Sequence, residues 1–476
     1  MTKKPEPITE LKREIGLLDA TLIVAGSMIG TGIFIVSADV TRHVGSAGWL
    51  IVVWLIGGFM TLTAALSYGE LSGMYPKAGG QYVYLKEAYN PLVAFLYGWS
   101  LFAVIQTGTI AAVGVSFSKF LAYFIPSVSE SNVIFSVGSF HVSPAQLIGI
   151  AIIFLVTFLN TKGVKEGKII QTIFTLTKVF SFIGLILAGL FFFKPEVWNA
   201  NWAVPFQLQK INPDGSFSEY LGWPALSGAV AAALVGTIIS YDAWNNVTFV
   251  AGEIINPKKN IGLSLLLGTL LVTLLYVSIN VMYTAVLPMN AIATAEKDRV
   301  GTVAAEQIFG SAGTYVIAIM IMISAFGCNN GMILSGARVY YSMAKDGLFF
   351  KPAAALNRYA VPEFALWIQA IMASILCLSG RYGDLLDMVS FVVVLFYILT
   401  IAGTYILRVK KPELERPYKT FGYPVLPGLY ILMGLSFCLL LIIYKPQFTW
   451  PGLIIALLGV PLYYLGFVFE KKTEDI

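Results

Sequence analysis

Gly26-Ser27-Met28-Ile29-Gly30-Thr31-Gly32 sits inside an apolar segment, Leu17 to Val40, that is long enough to cross a bilayer. Three glycines and two hydroxyls in seven residues do not suit a helix built only to span lipid. Each interior glycine costs about 1 kcal/mol relative to alanine. An unwound turn also frees N–H and C=O groups that lipid cannot satisfy. Those groups need a protein neighbour, water or a ligand, which makes the break a candidate binding site. Close helix packing by small residues is the competing explanation.

The whole chain shares the apolar character of that segment. It has 476 residues, 57% hydrophobic and 12% charged, at a mean hydropathy of +0.77. A soluble domain carries about 25% charged residues, so this is a polytopic membrane protein. The short alternating segments of a transmembrane barrel are missing, and so is a secretory signal: Met1 to Glu14 is polar, and no small-residue cleavage pattern follows the first apolar run. The net charge of +5 reads as loop asymmetry and not as a nucleic-acid surface. Cys328, Cys377 and Cys438 lie in apolar runs, and the only histidines are His43 and His141. The sequence therefore predicts no metal site, no cofactor and no catalytic residue; nucleophile-elbow, Walker and metalloprotease motifs are all absent.

Twelve apolar runs are present, near 17–41, 48–72, 92–123, 144–160, 169–193, 222–253, 262–287, 312–343, 362–379, 387–407, 424–444 and 450–469. With the N-terminus placed in the cytoplasm, 21 Lys and Arg fall on the cytoplasmic side and 8 on the other. By the positive-inside rule both termini are then cytoplasmic. Three longer outer loops, 124–143, 195–221 and 288–308, interrupt the pattern, the last with room for a short surface helix.

Run six repeats the oddity of run one. Ser240-Tyr241-Asp242-Ala243-Trp244-Asn245-Asn246 places a carboxylate and two amides near the middle of an apolar segment, where polar groups usually face a cavity. Paired interruptions at matching places in two halves point to a secondary transporter's site. Runs 1–5 and 6–10 then form two repeats, and five helices per repeat gives inverted topology. The domain reading is a single transporter unit, 1–476, with repeats over about 15–194 and 221–408 and two further helices over about 423–470. A zwitterion such as an α-amino acid fits the half-helix ends. Its carboxylate would sit on the amides of Gly30, Thr31 and Gly32. Its ammonium would face carbonyls near Met28, Ile239 and Asp242, and Ser240 is a further substrate-binding candidate.

Gly30-Thr31-Gly32-Ile33-Phe34 resembles the GSGIF motif of the amino acid–polyamine–organocation superfamily, with Thr in place of Ser. Tyr68-Gly69-Glu70-Leu71 and Pro76-Lys77-Ala78-Gly79-Gly80-Gln81-Tyr82-Val83-Tyr84-Leu85 are similar to its second-helix and following-loop signature. Tyr241-Asp242-Ala243-Trp244-Asn245, then Glu253-Ile254-Ile255-Asn256-Pro257, looks like the sixth-helix pattern of its L-type amino acid transporter branch. The resemblance covers nearly the whole chain, in order. It implies an all-α fold of twelve transmembrane helices, of LeuT type with 5+5 inverted repeats and broken helices 1 and 6. It also implies alternating access and amino-acid transport. The Ile239 position often holds a bulky aromatic gate in this family, so Ile here leaves the gate unplaced. Asp242 is glycine or serine in some members; a carboxylate there suits a cationic substrate tail or a local hydrogen bond.

Lys178 is the only lysine deep within a membrane run, and a buried ammonium is expensive unless paired. In sodium-independent relatives a fifth-helix lysine takes the place of a sodium ion and links helices one and eight. That makes Lys178 the expected cation at the break, with Ser324, Cys328 and Asn329 as its expected eighth-helix neighbours. Tyr276 is a supporting candidate; with Asn280, one turn on, it faces either the same cavity or a hydrogen bond between helices. Glu70, near a cytoplasmic helix end, and Glu253, near an outer one, read as structural. The loop 124–143 holds no cysteine, so no disulfide-linked heavy subunit is expected, and the short tails suggest a bacterial-type carrier in the cell membrane that works alone. The leading expectation is sodium-independent exchange of small neutral L-amino acids. A proton-coupled symporter, or a carrier of cationic amino acids or polyamines, is the first rival; a channel and an intramembrane enzyme are others.

Overall fold

The computed structural model describes residues 10–137, 140–379 and 382–474. Lys3, Lys4 and Arg381, used in the charge count, lie outside the described residues, as do the side chains of Lys471 and Lys472.

Among the described residues nine helices are long and apolar enough to cross a membrane, and Leu17–Met28, Pro144–Asn160 and Glu363–Leu378 are shorter apolar helices. Ala47–Met74, for example, has 28 residues at a mean hydropathy of 2.1. At 1.5 Å per residue it is about 42 Å long, enough to cross at a tilt. The protein is thus a helical multi-pass membrane protein.

Three features depart from the sequence reading. Two of the three longer loops contain small antiparallel hairpins, Phe135–Val137 with Phe140–Val142 and Gln209–Ile211 with Phe217–Glu219. Strands of three residues are too short to show alternation in sequence. The third loop holds Met289–Ala293 and Val300–Phe309. The second of these is not a surface helix, because Val300, Ala304 and Ala305 are fully buried. Finally, a π-helical turn, Leu101–Ile105, lies inside the long passage Pro91–Leu121.

Both anomalous segments are interrupted. Leu17–Met28 stops, the 3₁₀ turn Gly32–Phe34 follows, and helix resumes over Val36–Val44. Gly222–Ser240 stops, turns, and continues as Asn246–Phe249 and the 3₁₀ turn Ala251–Glu253. Ala243, within that second turn, has φ +64°, a left-handed conformation costing a non-glycine residue about 1–2 kcal/mol.

Leu17–Met28 is enclosed by Val164–Phe191, Pro257–Val286 and Ala312–Lys345. Gly26 serves this packing: a Cβ there would stand 2.0 Å from Gln171 Nε2 and 2.2 Å from Thr175 Oγ1. The small-residue explanation therefore holds for Gly26. Gly32 faces the other break, its Cβ position 2.7 Å from Ser240 Oγ.

Glu253 is at the end of the molecule that carries residues 14 and 15, not at the opposite end. Its carbonyl accepts from the N–H groups of Glu14 and Ile15, both at 2.9 Å, and Ile15 forms a parallel bridge with Ile254. Its carboxylate makes a two-pronged ion pair with Arg338, at 2.8 and 3.1 Å, with the two side chains 1% and 0% exposed. Glu70 is likewise tied down, accepting from Arg408 at 2.9 and 2.6 Å and from the Thr420 N–H at 2.7 Å.

Candidate functional site

A cavity of about 360 Å³ lies against both interruptions. Met28, Gly30, Thr31, Gly32, Ile239, Ser240 and Asp242 all line it, as does Cys328. It extends past Val36 to Asp39 and Lys445, away from the end closed by Glu253 and Arg338. Most of its wall is aliphatic, including Ile35, Val113, Val235, Ile238 and Val393.

The polarity of the first break follows from its hydrogen bonds. The Lys178 ammonium, 1% exposed, donates to the carbonyls of Gly26 at 2.7 Å and Ile29 at 2.8 Å, and to that of Ser324 at 3.4 Å. Ser324 Oγ reaches the Ile29 and Gly30 carbonyls at 2.9 and 3.1 Å. Cys328 Sγ donates to the Ser27 carbonyl at 3.0 Å. The Met28 carbonyl accepts from Gly30 N–H at 2.9 Å and from Tyr276 Oη at 3.0 Å. Every carbonyl from Gly26 to Gly30 is thus engaged. By contrast, the N–H groups of Thr31 and Gly32 have no acceptor among the described residues. The break presents its donors to the cavity and keeps its acceptors for the protein.

Tyr276 joins the two interruptions, since its hydroxyl also lies 3.3 Å from the Ser240 carbonyl. Asn280, one turn on, donates to the Tyr276 carbonyl and accepts from Ser37 Oγ at 2.6 Å. Asn329 does not join Ser324 and Cys328. With its amide turned to suit its neighbours, it donates to the Ile110 carbonyl at 3.2 Å and accepts from Gly114 N–H at 3.3 Å.

The second break is held through its own side chains. Asp242 Oδ1 accepts from Tyr397 Oη at 2.5 Å, and Asn245 Nδ2 donates to Gln81 Oε1 at 2.7 Å. Gln81 Nε2 in turn donates to Thr400 Oγ1 at 3.0 Å. The Ile239 carbonyl accepts from Asp242 N–H at 3.1 Å. Tyr397, Gln81, Asn245 and Thr400 were not among the sequence candidates. Gln81 and Asn245 fall in the motifs quoted above, whereas Tyr397 is one aromatic in an apolar run and carries no local signal.

The site can receive an anion at Thr31 and Gly32 and a donor at Asp242. Among the described residues no cluster of three His, Cys, Asp or Glu that could hold a metal is found.

A family model described as "Amino acid permease" matches residues 15–467. The chain is 30% identical to "Large neutral amino acids transporter small subunit 2" of Homo sapiens over 467 residues, 98% of this chain and 82% of that protein. It is 28% identical to "b(0,+)-type amino acid transporter 1" of Mus musculus, over 97% of this chain and 89% of that protein. It is also 28% identical to "Asc-type amino acid transporter 1" of Mus musculus, over 98% and 83%.

These likenesses overturn the expectation of no disulfide-linked heavy subunit and of a carrier that works alone. A relative covering 98% of this chain is named a small subunit, hence one component of a larger assembly. The missing cysteine in 124–143 is therefore no ground for excluding a heavy subunit. The relatives named are mammalian, and they lend no support to a bacterial type.

Proposed function

The chain belongs to the amino acid permease family, and on that premise we propose that it is a sodium-independent exchanger of small neutral L-amino acids working by alternating access. It is a secondary amino-acid transporter, not an enzyme. The observation that carries the proposal is the Lys178 ammonium, buried at the first break and bonded to the Gly26 and Ile29 carbonyls. A fixed cation there does what a coupling ion would do, neutralising carbonyls that unwinding exposes.

The substrate's carboxylate rests on the N–H groups of Thr31 and Gly32; that of Gly30, expected to join them, is held by the Met28 carbonyl. Its ammonium faces the carbonyls of the second break, at Ile239 and Ser240, and Asp242 stands beside the substrate's side chain. The aliphatic wall accepts a small apolar side chain. Support for twelve spans with 5+5 inverted repeats comes from the nine long and three shorter apolar helices and from the breaks at corresponding places in the two halves. The repeats then cover about 15–194 and 221–408, with 423–470 outside them. The excess of cytoplasmic-side Lys and Arg, 21 against 8, supports termini in the cytoplasm.

Asp242 supports a second reading, a carrier of cationic amino acids. Its carboxylate lines the cavity, and a Lys or Arg side chain entering there would meet it. Proteoliposomes loaded with each amino acid in turn decide the matter. The expected result is accelerated uptake of labelled alanine or serine against neutral internal substrates, unchanged when sodium is replaced by choline. Strict sodium dependence, or no acceleration by any internal amino acid, would overturn the proposal.

A further inference from the structure

Beyond the turn at Asp242 and Ala243, which also border the large cavity, lies a small chamber of about 20 Å³. Its polar walls include Tyr97, Gln106, Thr109, Asp242, Asn246 and Tyr397. Several of these groups are already committed. Gln106 Nε2 donates to the Met332 carbonyl, Thr109 Oγ1 to the Ile105 carbonyl, and Tyr397 Oη to Asp242 Oδ1. Two are not: Tyr97 Oη and Asn246 Nδ2 have no hydrogen-bond partner among the described residues, although the residues are 3% and 1% exposed. Unpaired buried groups of this kind are costly and rare.

The chamber exceeds the roughly 10–15 Å³ that one water needs. The chemistry of the walls selects water over a cation. The Asn246 N–H₂ is a donor only and repels a cation, whereas a water can accept from it and from the phenol O–H. One water accepts from both and donates to the Asp242 carboxylate, giving the three partners usual for a buried water. The π-helical turn Leu101–Ile105 forms part of the wall through Leu101 and Ile105, and such turns are frequent at functional sites.

We propose that this chamber is a one-water site held by Tyr97, Asn246 and Asp242, and that its water belongs to the substrate side-chain pocket. When the substrate brings no donor, the water supplies one to the Asp242 carboxylate, so a small neutral side chain is accepted beside a charged group. The pocket role rests on the transport proposal; the water site does not.

A structure of the full chain at a resolution that resolves waters tests the site directly. The expected result is a peak within hydrogen-bonding distance of Tyr97 Oη and Asn246 Nδ2; a chamber without one would overturn the site. Counterflow tests the role. In Tyr97→Phe the water loses one of its three partners and its hold on the carboxylate weakens, so the ratio of lysine to alanine counterflow should rise about tenfold, the size of one hydrogen bond to a charged group. An unchanged ratio would remove the water from the pocket. Should Tyr97→Phe fail to fold, Asn246→Ser is read for the same ratio. A wild-type chain that moves no amino acid would refute the transport proposal while leaving the water peak to be judged alone.

Discussion

At the first interruption, five successive carbonyls, Gly26 to Gly30, accept hydrogen bonds from side chains on three other helices. At the second, Asp242 and Asn245 make the bonds with their own side chains, to Tyr397 and Gln81. The two segments share an interrupted apolar pattern but not a way of being held. A break fixed through its backbone reads what every substrate has in common, because main-chain N–H groups are the same whatever residue carries them. A break fixed through side chains can be retuned by one substitution. On the proposed function, recognition of the α-carboxylate and selection of the side chain fall to different halves of the site.

The largest effect should come from removing the cation of the first break. Lys178→Ala leaves the Gly26 carbonyl without its side-chain donor and the Ile29 carbonyl with Ser324 alone. Losing two charge-assisted bonds, each worth about 1.5–3 kcal/mol, should cut uptake about a hundredfold or more. Initial-rate uptake in proteoliposomes checks it, and a variant within about threefold of wild type would show that the break needs no fixed charge. Gly32→Ala probes the contact between the halves. Its Cβ would sit 2.7 Å from Ser240 Oγ and 3.3 Å from Ser240 Cβ. Overpacking of this kind costs about 1–3 kcal/mol, so affinity should fall about tenfold for all substrates alike. Ser240→Gly in the same chain should restore most of it; failure to do so would mean that the two breaks do not press on each other. Tyr276→Phe keeps the ring and removes only the hydroxyl that reaches Met28 and Ser240. About fivefold weaker affinity is expected, with expression unchanged.

The interruptions and Lys178 were legible because each is a compositional exception: polar or glycine residues in a run where lipid tolerates neither. Pairings were not. Glu253 and Arg338 lie 85 residues apart, and nothing local says that one answers the other, or that Glu253 lies at the end of the molecule where residues 14 and 15 are. Asn329 parts from Ser324 and Cys328 because residues four apart share a helical face and the next residue turns about 100° away. The π turn, the three-residue hairpins and the chamber behind Asp242 depend on long-range packing and leave no periodic trace.

The smallest effect on neutral substrates should come from Asp242→Asn, and it is the one that tells the two readings apart. Asparagine keeps the oxygen that accepts from Tyr397 Oη and nearly the same volume, so the turn at Ala243 should persist. Only the charge is lost. If the cavity takes small apolar side chains against its aliphatic wall, that charge makes no contact with them, and alanine counterflow should change by less than about twofold. If the carboxylate instead pairs with a cationic tail, it does so in a partly desolvated site, where breaking such a pair costs several kcal/mol. Lysine and arginine counterflow would then fall at least about tenfold while alanine held steady. A fall for alanine as large as for lysine would deny both readings, because it would mean that the second break, like the first, is needed by every substrate, and the division of labour between them would not stand.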